Sequence, residues 1–172
     1  LKLKKSAVYA KVLFEEDSSL DFLKKLKAYI KIFTEDLSVF SFFNSPLISF
    51  EEKTGVLDQA LKQAPALLKS FFKVLLKNKS FFLLSEIQEN FQELWNDKNK
   101  LCPALVFRSQ ALTEREKADL KDSLKNFFNK KIVLQEKEDK SLIAGLKVFA
   151  GGYIFKGNTS HFLKKFKQSG GF

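Results

Sequence analysis

The chain has 172 residues, 45% of them hydrophobic, with three prolines and seven glycines, enough to bury roughly 70% of the surface its unfolded form would expose and to fold without staples. A lone cysteine, Cys102, excludes an internal disulfide, and with the lone histidine, His161, it falls short of the four ligands of a structural zinc site. The net charge of +10 suits a polyanion partner, but Arg108 and Arg115 are the only arginines among 30 basic residues, whereas base and phosphate readout favour arginine's planar fork.

From Lys5 to about Lys100 the apolar period is helical. The first helix is expected over about 5–16, with Val8, Val12 and Glu16 on one edge and Ala10, Leu13, Phe14 and Asp17 on another, so more than one face is apolar. Asp17, Ser18 and Ser19 interrupt it and supply the next cap. A single second helix is expected over about 20–43, because Leu23, Leu26, Ile30, Phe33 and Leu37 fall three and four apart. Asn44, Ser45 and Pro46 end it, since a residue before proline is pushed out of the α region.

Ser49 with Glu52 forms a candidate capping box for a short helix towards Leu61. Pro65 suits the first turn of another, carrying Leu68, Phe71, Phe72, Leu75 and Leu76 over a wide arc. The last helix of the series runs from Ser80 to about Asn99, with Leu84, Ile87, Phe91 and Leu94 inward. Residues 1–102 are therefore expected to form an N-terminal helical bundle.

At Leu101, Cys102 and Pro103 the character changes. Residues 104–109 predict a strand, Thr113 with Glu116 a second capping box before a helix carrying Leu120, Leu124, Phe127 and Phe128, and 132–136 another strand. Gly151-Gly152 joins two alternating runs as a tight hairpin, and a short basic helix follows. The fold class is mainly α, with a small α+β C-terminal domain over 103–172.

Candidate chemistry is sparse. Gly152 and Gly157 have the spacing of a phosphate loop, but the lysine such a loop needs is missing and the segment is committed to a hairpin. His161, between Ser160 and Phe162, has no adjacent acid or nucleophile. The acidic pairs near Glu15, Glu51 and Glu136 accompany caps and lysines. No catalytic residue, metal site or cofactor is expected. No apolar run approaches the roughly 18–20 residues of a membrane span, and Lys11, Glu15, Glu16 and Asp17 interrupt any signal-peptide core after the basic start.

What remains is binding surface. The first helix and the helix over 65–77 carry more apolar positions than one packing face uses, so side by side they would leave a groove for an amphipathic helix. Tyr9, Val12, Phe71 and Val74 are the candidates, the alternative being that they belong to the core.

Three blocks resemble the delta subunit of the F-type ATP synthase, the oligomycin-sensitivity-conferring protein family. They are Tyr9-Ala10-Lys11 with Leu13-Phe14; Asn44-Ser45-Pro46-Leu47 leading to Glu51-Glu52-Lys53; and Ser141 to Gly145 with Gly151 and Gly157. The resemblance implies a non-catalytic stator subunit. Its helical domain would hold the N-terminal helix of an alpha subunit between the family's first and fifth helices, here at Tyr9, Val12, Leu13, Phe71, Val74 and Leu75. Its C-terminal domain would meet the end of the b subunit. The resemblance further implies one copy in a hetero-oligomeric complex at the cytoplasmic face of a bacterial inner membrane, with neither a membrane span of its own nor nucleic acid.

Departures from the family pattern are local: Lys156-Gly157-Asn158 stands where an Asp-Gly-Ser run is usual, Ser160 and Phe162 follow where arginines are common, and Val12 is larger than the usual small residue. A lysine-rich nucleic-acid adaptor is the alternative. The joint excess of lysine and phenylalanine is explained as well by A/T-rich codons as by selection for such a partner.

Overall fold

The computed structural model describes residues 4–142 and 145–157. The chain divides into two compact units, residues 1–95 and 96–172. The short basic helix expected after the hairpin, and His161 with it, falls outside the described residues.

The first unit begins with α1 (Lys5–Glu16) and α2 (Leu20–Thr34). Between them Asp17 accepts from the Ser19 amide at 2.8 Å, and the Ser19 hydroxyl accepts from Phe22 N–H at 3.1 Å, capping α2. The single helix expected over 20–43 is in fact two. A break at Glu35 and Asp36 starts α3 (Leu37–Asn44), because the Asp36 carboxylate accepts from the backbone N–H groups of Ser38 and Val39. A short acidic side chain that satisfies a helix start competes with continuing the previous helix.

Helix α4 (Phe50–Ala60) opens on the expected Ser49–Glu52 capping box. Pro65 stands one residue before α5 (Ala66–Lys77), as its N-cap rather than inside its first turn. The helix expected from Ser80 begins instead as a 3₁₀ turn, Phe81–Leu83, before α6 (Leu84–Lys98).

The core of this unit shows where many of the phenylalanines go. Phe33 lies 5.2 Å from Phe43, 5.1 Å from Phe72 and 5.5 Å from Phe81, centroid to centroid. Phe91 meets Phe14 and Phe22 at 5.4 and 5.7 Å. These separations and mostly tilted or edge-on geometries are those aromatic quadrupoles favour, about 0.5–1.5 kcal/mol per pair beyond area burial.

In the second unit β1 (Leu101–Arg108), α7 (Glu114–Phe128), β2 (Lys131–Glu138), β3 (Leu146–Ala150) and β4 (Tyr153–Gly157) build a sheet of order β2-β1-β3-β4. β1 pairs parallel with β2 through the α7 crossover and antiparallel with β3. The first strand starts three residues earlier than the sequence predicts and includes Pro103. Pairing to β3 begins only at Ala104, so the proline sits outside that ladder, where a missing donor is tolerated.

The β3–β4 turn has φ of +55° at Gly151 and +80° at Gly152, the type I′ pattern glycine admits. A Cβ on Gly151 would also lie 2.4 Å from the Phe128 ring.

An ion network ties α7 to β2. Glu136 accepts from Arg108 Nε at 2.8 Å, and Lys117 Nζ lies 3.0 Å from its other oxygen while also bonding Glu114 at 2.9 Å. Burial pushes the Glu136 carboxyl up, but the hydrogen bonds from Lys117 and Arg108 outweigh it and hold the group below the usual carboxylate range.

Candidate partner-binding groove

Tyr9 joins α1 to α5. Its ring lies edge-on to Phe71 at 6.4 Å, and its hydroxyl accepts from Asn78 Nδ2 at 2.9 Å. Lys5 Nζ sits 5.9 Å from the Tyr9 ring centre and donates to the Asn78 carbonyl at 3.4 Å. Phe71 and Asn78 bracket two turns of α5. Val74 stands three residues after one and four before the other, which puts it on their face. On α1, Val12 lies three residues beyond Tyr9 by the same rule.

Those two valines remain in water, Val12 at 55% and Val74 at 45% exposure, and Val8 joins them at 44%. Tyr9 is half-buried and Phe71 nearly covered. Leu13 and Leu75, at 2% and 0%, are core residues that support the seam from beneath and present no surface to a partner. The spacing thus brings together an accessible set (Tyr9, Val12, Val74, with the edge of Phe71) above a buried pair. The sequence sets Val8 on one edge with Val12, but neither Val8 nor Asn78 is among its groove candidates. Asn78 had no apolar signal, because it acts through one hydrogen bond.

Burial pushes the Cys102 thiol up, away from the reactive thiolate. Gly152 lies in the β3–β4 turn and Gly157 is the last residue of β4, so the segment between them is a hairpin strand and not a loop of free N–H groups. Among the described residues no three of His, Cys, Asp and Glu gather to hold a metal ion, and no helix is long and apolar enough to cross a membrane.

Fold and seam together define a two-unit protein, a helical bundle followed by a small α+β unit, with exposed apolar side chains along the α1–α5 seam. The family model described as ATP synthase delta (OSCP) subunit matches residues 6–169, and the chain belongs to that family, whose place is the peripheral stalk of the F-type ATP synthase. ATP synthase subunit delta of Clostridium botulinum is 29% identical over 93% of this chain and 92% of its own length. Its counterpart in Clostridioides difficile is 28% identical with the same coverage. That of Elusimicrobium minutum is 31% identical over 74% of each chain. Among solved structures, a chain of the Toxoplasma gondii mitochondrial ATP synthase hexamer shares the fold, with a TM-score of 0.64, 17% identity and 97% of each chain covered. The nucleic-acid alternative gains no support from these matches.

Proposed function

We propose that this subunit is a non-catalytic connector in which the α1–α5 seam receives the amphipathic N-terminal helix of an alpha subunit. The α+β C-terminal domain, residues 103–172, meets the end of the b subunit. The observation that carries the groove is the exposure of Val12 and Val74 on the two faces that the Tyr9–Phe71 contact brings together. The subunit works as one copy of a hetero-oligomer, peripheral to the membrane at the cytoplasmic face of a bacterial cell.

The physical task is to resist rotation of the catalytic hexamer with its rotor. Two joints in series must each outlast many rotary steps, and a nanomolar contact corresponds to about 12 kcal/mol. Burial of apolar side chains at roughly 25 cal/mol per Å² supplies such a hold once ordering costs are met. The net charge of +10 speeds docking of acidic partners more than it tightens them.

Calorimetric titration of the full chain with a synthetic peptide of the alpha N-terminus from the same organism tests the groove. Val74→Asp places a charge on the apolar seam and is expected to weaken binding by about tenfold or more, with the far-ultraviolet circular dichroism unchanged. Absence of binding by the unaltered chain, or full affinity in the variant, overturns the assignment.

A further inference from the structure

The end of α3 and the turn after it, at Asn44, Ser45 and Pro46, border a cavity of about 480 Å³ in the first unit, and none of the six groove residues lines it. Its apolar lining includes the buried side chains of Phe43, Leu76 and Phe81, with the more exposed Phe50 and Phe82 beside them. Three lysines, Lys53, Lys77 and Lys79, complete the lining, and no carboxylate does.

Hydrogen bonds tie both sides of this cavity. Lys53 Nζ donates to the Ser45 carbonyl at 2.5 Å, Asn44 Nδ2 to the Phe40 carbonyl at 2.8 Å, and the Leu47 amide to the Ser45 hydroxyl at 3.2 Å. Opposite, α5 ends in a Schellman turn: Ser80 N–H donates to Leu75 O at 2.8 Å and Lys79 N–H to Leu76 O at 3.0 Å. Lys79 occupies the left-handed position, φ +50°, that glycine ordinarily fills there. A lysine is thus kept where the backbone would prefer no side chain.

Lys53 is engaged with Ser45, whereas Lys77 and Lys79 have no carboxylate partner among the described residues. Two unpaired ammonium groups exceed what the roughly half negative charge of a helix C-terminus requires. Leu47, 93% exposed, and Phe82, 59% exposed, extend the apolar surface beyond the mouth, more than a small carboxylate ligand would cover.

The geometry points to a second docking site, for an acidic segment of another polypeptide that seats a bulky apolar side chain in the cavity and sets its carboxylates against Lys77 and Lys79. This occupant follows from charge complementarity with the lysine rim and from the apolar patch around it. It is independent of the α1–α5 groove.

Photocrosslinking in the assembled synthase tests it, with p-benzoylphenylalanine placed at position 82 in one preparation and at position 12 in another, and the products mapped by mass spectrometry. Position 82 is expected to crosslink to a segment in which an apolar residue is flanked by Asp or Glu. Lys79→Gly should lower that yield several-fold while the melting temperature holds or rises, since glycine suits the left-handed turn; loss of yield is then not loss of fold. Unchanged yield in Lys79→Gly, a crosslink to a segment without carboxylates, or no crosslink from position 82 overturns the inference. A crosslink from position 12 to an alpha subunit with none from position 82 leaves the groove standing and removes only the second site. The reverse pattern keeps the second site and removes the groove.

Discussion

The two units are held together by different physics. The helical unit relies on apolar and aromatic burial, with Phe33, Phe43, Phe72 and Phe81 packed ring to ring and its ion pairs confined to the surface. The α+β unit combines a smaller core, around Val106, Leu124 and Val148, with a half-covered charge network at Glu136 and a glycine turn against Phe128. A unit stabilised chiefly by apolar area is unforgiving of lost volume, and its response to acid rests on the capping carboxylates Asp36 and Glu52, which backbone and hydroxyl donors hold below the usual range; in the α+β unit the carboxylate shared by two cations, Glu136, adds a response of its own.

The largest expected effect is on the aromatic cluster. Phe33→Ala removes the ring that touches three others and should cost about 3–5 kcal/mol, measured by urea unfolding followed through Trp95, the single tryptophan, which packs against this core. A loss below about 1 kcal/mol would mean the cluster relaxes around the hole. Next comes Gly151→Val, which forces a β-branched side chain into a left-handed φ and against Phe128; about 2–3 kcal/mol is expected, with amide exchange in β3 and β4 accelerated and that in α2 unchanged.

The pH dependence sharpens the contrast. Glu136 has its folded pKa lowered, so its stabilisation is fully present above the ordinary carboxylate value of about 4.3 and is lost as pH falls through the lowered value. Glu136→Gln should cost about 1 kcal/mol at neutral pH, a figure discounted for its partial exposure. It should also flatten the acid limb of stability for the second unit alone. An unaltered acid limb in the variant would assign the pH response to other carboxylates. The smallest effect belongs to Val12→Asp, which faces water in the free subunit and should change stability by no more than about 0.5 kcal/mol, although it lies in the proposed groove.

Much of this architecture is legible in the sequence because local chemistry decides it. Ser49 with Glu52 and Thr113 with Glu116 specify helix starts through side chains three residues away, and both capping boxes form. Gly151-Gly152 announces its turn by backbone freedom, although the close approach of Phe128 to Gly151 is visible only in the fold. What the periodicity conceals is competition between equal options: the apolar spacing from Leu23 to Leu37 runs on unbroken, and only the Asp36 cap divides it. Burial is concealed for a related reason. Leu13 and Leu75 sit one residue from Val12 and Val74, and a rotation of about 100° per residue separates core from surface without any change in residue type. Lys79 in a left-handed conformation had no signal at all, since glycine is what that position ordinarily announces.

The break at Asp36 has a mechanical meaning. A slender beam deflects under a transverse load in proportion to the cube of its free span, so dividing the stretch into a 15-residue α2 and an 8-residue α3 shortens the longest lever in the bundle. At about 1.5 Å per residue, α2 spans only about 22 Å. In a part of a stationary strut beside a turning motor, short braced beams store little elastic energy per stroke and return it quickly.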